Sequence, residues 1–135
     1  MNLKKYNFKY IVEEKQQGIL RVFDSKEIPF KIERVFTVVN ASSGSKRGQH
    51  AHKKCLQLLC CISGEVELVC DNGIKKTIIS LTPKNEAILV PSGIWAEQNY
   101  LINNSVLLVL CDQPYDESDY IRDYENFLKW KGIKK

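Results

Sequence analysis

The sequence lacks the features that mark several common classes of protein. None of its 135 residues lie in an apolar run long enough to cross a membrane, and the opening MNLKKYNFKY lacks the apolar centre of a secretory leader. The net charge is only +4, the lysines and arginines are spread along the chain, and no nucleic-acid recognition motif accompanies them. We therefore expect one cytoplasmic domain, residues 1–135, without a membrane or nucleic-acid partner.

Paired-cysteine motifs are also missing. The chain has five cysteines, which is an odd number, and none of them have CxxC spacing. Most lie in apolar runs, so we predict buried free thiols in a reducing compartment rather than zinc ligands or disulfides. They are Cys55, Cys60, Cys61, Cys70 and Cys111.

Short apolar segments alternate with turn-forming residues along most of the chain. The turns are rich in Gly, Pro, Ser and Asn, and Asn72-Gly73 is a hairpin signal. This pattern predicts an antiparallel sandwich or barrel rather than alternating strands and helices. The predicted strands span residues 19–23, 33–39, 50–52, 57–63, 65–70, 76–81, 87–90 and 106–111.

Only the tail has helical periodicity. Apolar and aromatic residues recur on one helical face, preceded by the acidic and capping residues 116–119. We predict a helix that packs on the outside of the barrel, in which Tyr120 and Tyr124 are anchors rather than catalytic groups. The residues of this face are Tyr120, Ile121, Tyr124, Phe127 and Leu128.

The chain has two histidines, His50 and His52, which lie two residues apart. In an extended segment side chains alternate between faces, so both should project to the same side. Three roles fit such a pair: metal ligands, acid and base groups, or polar residues on a solvated strand face.

The histidines occur within a spacing that resembles the first cupin motif, G-x5-H-x-H-x(3,4)-E-x6-G. The matching positions are Gly44, His50, His52, Gln57 and Gly64. Residues 85–96 resemble the second cupin motif, G-x5-P-x-G-x2-H, with Asn at its first position and Ala96 where the histidine belongs. Two motifs in this order imply an all-β cupin jelly-roll barrel of antiparallel strands with a short C-terminal helix.

Two of the four ligands of a metal-binding cupin are absent. Gln57 replaces the glutamate with a neutral, poor ligand, and Ala96 has no donor atom. We therefore predict no metal and no other cofactor. The histidines are then free to act as acid and base near neutral pH.

Three segments carry a more specific resemblance. Residues 28–35 (IPFKIERV), 47–54 (RGQHAHKK) and 115–122 (YDESDYIR) resemble the sugar 3,4-ketoisomerases. The resemblance implies metal-free conversion of dTDP-4-keto-6-deoxy-D-glucose to a 3-keto sugar that supplies a 3-aminotransferase for surface polysaccharides. It also implies a homodimer, often with exchanged N-terminal strands.

The implied chemistry removes the proton on C3, holds an enediol or enediolate, and protonates C4. His50 is our candidate base, and His52 would polarise the carbonyl or carry a proton between the two oxygens. Spacing alone does not separate these roles, so they can be exchanged.

Four residues are further candidates for binding the substrate. Arg34 and Arg47 suit the diphosphate, because guanidinium matches phosphate geometry. Gln57 can hydrogen-bond the sugar, and Trp95 either packs against thymine or fills the core.

The sequence departs from the family pattern at three places. Phe36 and Thr37 replace a tyrosine pair, so a phenol at Phe36 is absent and Thr37 should face the opposite side of the strand. Ala96 replaces His or Arg, and Gln17 replaces Arg or Tyr. The last two positions lie near the sugar in this fold and can steer protonation at C4. The product is open between the galacto and gluco epimers, and we favour galacto.

Two other functions remain open. A sugar-nucleotide 3,5-epimerase also removes a proton beside the C4 ketone but needs an acid on the second face. A non-catalytic cupin would bind the sugar nucleotide without exchanging its hydrogens.

Overall fold

Strands make up most of the structure, a computed structural model that describes residues 1–12, 15 and 18–133. The strands are β1 Lys5–Tyr6, β2 Lys9–Val12, β3 Ile19–Val22, β4 Arg34–Ala41, β5 Lys46–His52, β6 Gln57–Ser63, β7 Val66–Asp71, β8 Lys76–Leu81, β9 Ala87–Val90, β10 Trp95–Tyr100, β11 Ser105–Cys111 and β12 Tyr120–Ile121. A 3-10 turn, Glu117–Asp119, precedes β12, and one α-helix, α1 Tyr124–Lys131, ends the described chain.

Two five-stranded antiparallel sheets face each other. Their strand orders are β1-β9-β6-β11-β4 and β12-β5-β10-β7-β8, and β2 pairs with β3 in a separate hairpin. The main core lies between the sheets, because it joins Leu59 and Val109 of the first sheet to Leu68 and Tyr100 of the second. The prediction of an all-β antiparallel jelly roll is confirmed.

Each sheet also has a covered outer face. Residues of β6 and β11 pack outward against Ile28 and its neighbours. On the second sheet, Ala51 and Trp95 pack beneath Phe127 and Leu128 of α1. The helix therefore packs on the outside of the jelly roll, as the sequence predicted.

A β-bulge in β5 determines which side chains face the interior. Gly48 and Gln49 both have positive φ angles, of 83° and 58°, and a Cβ on Gly48 would lie 2.9 Å from the carbonyl oxygen of Ala96. The register shifts here, so that His50 lies opposite Ala96 while Arg47 lies opposite Gln98. Arg47 and His50 therefore share a face although they are three residues apart.

The helix boundary is the clearest error of the sequence prediction. Tyr120 and Ile121 do not begin the helix, because they form β12 and pair with His52 and Ala51. The N-cap of α1 is Asp123, whose side chain accepts a hydrogen bond from the amide of Asn126. Asp116 caps the separate 3-10 turn.

Each predicted strand has a counterpart in the structure, but the sequence did not predict β1, β2, β10 and β12.

All five cysteines are free and buried, as predicted. Thr37 is exposed and Phe36 packs against the core, so the two face opposite sides as predicted. No helix among residues 1–12, 15 and 18–133 is long and apolar enough to span a bilayer.

Candidate active site

The two histidines lie side by side on the inner face of β5. Their ring centroids are 5.0 Å apart with the planes nearly perpendicular, which confirms that both project to the same side. Strand β12 brings a third ring to this face, because Tyr120 lies opposite His52 in the antiparallel register. The Tyr120 ring is 4.3 Å from His52 and 4.9 Å from His50.

His52 is oriented by Asp119. The Nδ1 atom of His52 lies 2.9 Å from Oδ2 of Asp119, which also accepts a hydrogen bond from the amide of Cys55; Oδ1 accepts one from the amide of Lys54. A carboxylate held in this way selects the tautomer with the proton on Nδ1. The Nε2 atom of His52 is then a free acceptor, and it is buried without a hydrogen-bond partner among the described residues.

His50 has the same tautomer for a different reason. Its Nδ1 atom lies 3.0 Å from the carbonyl oxygen of Gly48, so Nδ1 donates and Nε2 is left to accept a proton. Burial, with a smaller contribution from His52, lowers the pKa of His50 to about 4. Burial also lowers the pKa of His52, although Asp119 acts in the opposite direction. Both rings are therefore neutral near pH 7, which is the form that accepts a proton.

Arg34 of β4 reaches the same cluster. Its guanidinium donates to the hydroxyl oxygen of Tyr120 over 3.2 Å and lies 3.9 Å from the sulfur of Cys55. Burial alone would lower the pKa of Arg34, but Tyr120 and Cys111 raise it further above its ordinary value. The group is a fixed positive charge beside the histidines, suited to stabilise an enediolate oxygen.

Two thiols lie beside the guanidinium, and the amide of Gln57 contacts one of them. Cys111 is opposite both Arg34 and Gln57 in the sheet, and Gln57 Nε2 donates to its sulfur over 3.6 Å. Cys55 shares a hydrogen bond with Cys111, which raises the pKa of Cys55 and lowers that of Cys111. Gln57 is buried and adjoins the cluster through its hydrogen bond to Cys111.

The remaining sequence candidates are placed differently. Arg47 is exposed on the histidine face, and Ala96 lies directly opposite His50. Trp95 is not brought to the site: it points to the other face of the sheet and packs edge-on against Tyr124, 5.3 Å away, beneath α1. Gln17 lies outside the described residues.

A charged group covers the outer side of Tyr120. Arg122 lies over its ring at 4.3 Å and makes two hydrogen bonds, of 2.7 and 2.9 Å, to Glu117. The hydroxyl of Tyr115 also donates to Glu117. These contacts hold the 3-10 turn and β12 together, and so hold Asp119 and Tyr120 against β5.

The sequence did not predict that Asp119 and Tyr120 lie against the histidines. The helical interpretation of the tail made Asp119 a capping residue and Tyr120 an anchor. In the structure, a 3-10 turn followed by a two-residue strand places both side chains against the histidines. The only signal was the segment 115–122, which carries the family resemblance.

The cupin metal centre does not fit these residues. Ala96 has no donor atom, and the amide nitrogen of Gln57 is directed to a thiol. His50 and His52 alone make an incomplete set for a stable divalent ion. No step of the chemistry is therefore routed through such a centre.

The chain is similar to known proteins along almost its whole length. The FdtA family model, described as WxcM-like, C-terminal, matches residues 1–132. A TDP-4-oxo-6-deoxy-alpha-D-glucose-3,4-oxoisomerase of Aneurinibacillus thermoaerophilus is 35% identical over 130 residues, which cover 96% of this chain and 93% of that protein.

Two crystal structures are also similar. A 3,4-ketoisomerase from Helicobacter canadensis has a TM-score of 0.89 and 32% identity, covering 98% of each chain. The sugar 3,4-ketoisomerase QdtA from Thermoanaerobacterium thermosaccharolyticum, in complex with TDP, has a TM-score of 0.88 and 32% identity, covering 97% of this chain and 95% of QdtA.

Proposed function

The chain belongs to the FdtA, WxcM-like family of sugar 3,4-ketoisomerases, and on that premise we propose that it converts dTDP-4-keto-6-deoxy-D-glucose to a dTDP-3-keto-6-deoxyhexose. One observation carries the proposal: a half-buried and a buried histidine, both neutral, present free Nε2 atoms beside an arginine and a tyrosine. Such a set supplies a base, a proton carrier and a positive charge, which is what the isomerisation requires.

The tautomers support a division of labour between the histidines. We assign the removal of the C3 proton to Nε2 of His50. In neutral His52 the proton is on Nδ1, so Nε2 has no hydrogen with which to polarise the C4 carbonyl. His52 instead accepts the proton of the C3 hydroxyl and delivers it to the C4 oxygen. Asp119 stabilises the imidazolium formed in between.

Electrons and protons balance without a cofactor. The C3–H electrons form the enediolate double bond while the C4 oxygen takes up charge that Arg34 stabilises. His52 then moves the proton of the C3 hydroxyl to the C4 oxygen, so that the C3 carbonyl forms. Carbon C4 accepts a proton from water, and His50 returns the proton taken from C3 to solvent. The net change exchanges the ketone and the hydroxyl.

Substrate binding follows from the same face. We assign Arg47, exposed on this face, to the diphosphate and Gln57 to the sugar. Arg34 hydrogen-bonds Tyr120 beside the histidines, so we place it at the sugar rather than the diphosphate. Trp95 supports α1 and is not assigned to thymine.

The C4 configuration of the product depends on groups that this chain lacks. Ala96, opposite His50, offers no proton, and Gln17 is neutral. Delivery from water is then left, because the proton that His52 carries goes to the C4 oxygen, and we favour the galacto epimer.

We also propose a homodimer with exchanged N-terminal strands. The β2–β3 hairpin pairs only with itself among the described strands and exposes Val12, Ile19 and Leu20. Buried free thiols support a reducing, cytoplasmic location, where the product would supply a 3-amino-sugar pathway.

Proton NMR in deuterated buffer tests the reaction. Protein treated with EDTA is incubated with dTDP-4-keto-6-deoxy-D-glucose, and we expect a 3-keto sugar that carries deuterium at C4. The coupling between H4 and H5 in ordinary water identifies the epimer. Exchange at both C3 and C5 with the ketone still at C4 would indicate a 3,5-epimerase instead. Binding without exchange would indicate a non-catalytic sugar-nucleotide cupin.

A further inference from the structure

A second set of donor atoms lies beside the histidine pair. His52, Cys55 and Asp119 each offer one ligand atom, and these atoms lie within 4.8 Å of one another. The side chains of His52 and Asp119 are 6% and 10% exposed, and Cys55 is 1% exposed. This set shares only His52 with the cupin spacing.

The donors suit a thiophilic cation. Imidazole, thiolate and carboxylate bind Zn²⁺ at about 2.0–2.3 Å, which in a tetrahedron places donors about 3.3–3.7 Å apart. Closing the present spacing to that value needs movements of about 1 Å. These three side chains supply three of the four positions of a tetrahedral site, and solvent water supplies the fourth.

Charge balance requires the Cys55 thiolate. The guanidinium of Arg34 lies 3.9 Å from Cys55 and opposes a cation. The Cys55 thiolate and the Asp119 carboxylate together carry two negative charges, which neutralise a divalent ion. Loading the site therefore displaces the Cys55 thiol proton into solvent, and acid weakens it.

We propose that His52, Cys55 and Asp119 form a binding site for a thiophilic divalent cation such as Zn²⁺. Occupation takes a lone pair of His52 and breaks its hydrogen bond with Asp119, so the ion inhibits the enzyme. The inhibition rests on the proposed isomerase function, whereas the binding does not.

Co²⁺ is the direct probe, because a cobalt–thiolate bond absorbs by sulfur-to-metal charge transfer whether or not the protein is active. Oxygen-free protein is titrated with Co²⁺, Zn²⁺ is then added as competitor, and proton release is followed in weak buffer. We expect the charge-transfer band, its loss on addition of Zn²⁺, and release of protons.

Matched variants locate the site. Cys55→Leu should lose the band. The Zn²⁺ concentration that halves its own metal-free rate should be at least tenfold higher than in the wild type. Cys60→Ala should keep the band and the inhibition, because Cys60 lies on β6 and packs on the outer face of its sheet. Asp119→Asn, which keeps the side-chain shape, should weaken Co²⁺ binding at least tenfold and serves if Cys55→Leu does not fold.

The outcomes separate the two proposals. No band in the wild type, an equal band in folded Cys55→Leu, or an unchanged Co²⁺ affinity in folded Asp119→Asn would overturn the cation site. A band that behaves as expected in a protein without isomerase activity would sustain the site and refute the proposed reaction.

Discussion

Replacing Asp119 with asparagine tests how His52 works. The carboxylate lies 2.9 Å from Nδ1, and both side chains are almost buried. An imidazolium and a carboxylate with charge centres about 4 Å apart attract by about 4 kcal/mol at an effective dielectric constant of about 20. A charge-assisted hydrogen bond contributes about 1.5–3 kcal/mol net. We therefore expect Asp119→Asn to destabilise the protonated His52 by about 2–4 kcal/mol.

That loss appears in the turnover number. At about 1.4 kcal/mol for each tenfold, kcat should fall about 30- to 1,000-fold. KM should change less than about threefold, because Asp119 is assigned no substrate contact. The single oxygen of asparagine can still accept the amide hydrogen bond of either Lys54 or Cys55, which bond to different oxygens of Asp119, so the fold should be retained.

The assay is initial-rate NMR of the ketone transfer, with Asp116→Asn as the matched control. Asp116 carries the same charge and caps the same turn through Ser118, yet it is not in contact with a histidine. The control should keep kcat within about twofold of the wild type. An equal kcat in Asp119→Asn and the wild type would refute the reasoning.

Three further predictions concern other parts of the structure. Tyr120→Phe removes the oxygen that accepts from Arg34, so kcat should fall about tenfold while the melting temperature changes little; unchanged kinetics would contradict a role for this contact. Trp95→Ala should lower the free energy of unfolding by about 3–5 kcal/mol, measured in urea. A folded variant should bind dTDP as the wild type does, and a loss of affinity would indicate that Trp95 contacts the nucleotide. Gly64→Ala places a Cβ 2.2 Å from the Ser105 hydroxyl at a φ of 81°; it should lower thermal stability by at least about 1 kcal/mol, and a neutral result would contradict the tight turn.

The strands of the fold were readable because their apolar residues alternate or form continuous buried runs. Strand β10 was missed because WAEQNY looks polar, although Gln98 and Tyr100 of this strand are buried. Its polar residues pair with neighbouring strands, and that pairing is invisible in a single segment: Asn99 hydrogen-bonds Glu67, 32 positions away.

The site was partly predictable because side chains alternate between the two faces of a strand. Two histidines two residues apart must share a face of a strand, and they do. Asp119 is 67 positions from His52, so their contact depends on how β12 pairs with β5, which local periodicity does not encode. The bulge at Gly48 and Gln49 was likewise not predictable from the sequence. It shifts the register so that the Arg47 side chain projects from the same face as the histidines.

The central claim is that His50 and His52 carry separate proton transfers, and loss of deuterium from C3-labelled substrate tests it most directly. The rate of loss is measured by NMR for the wild type, His50→Asn and His52→Asn. We predict that His50→Asn neither exchanges C3 nor forms product, whereas His52→Asn still exchanges C3 but forms the 3-keto sugar much more slowly. Exchange at the wild-type rate in His50→Asn would contradict the account.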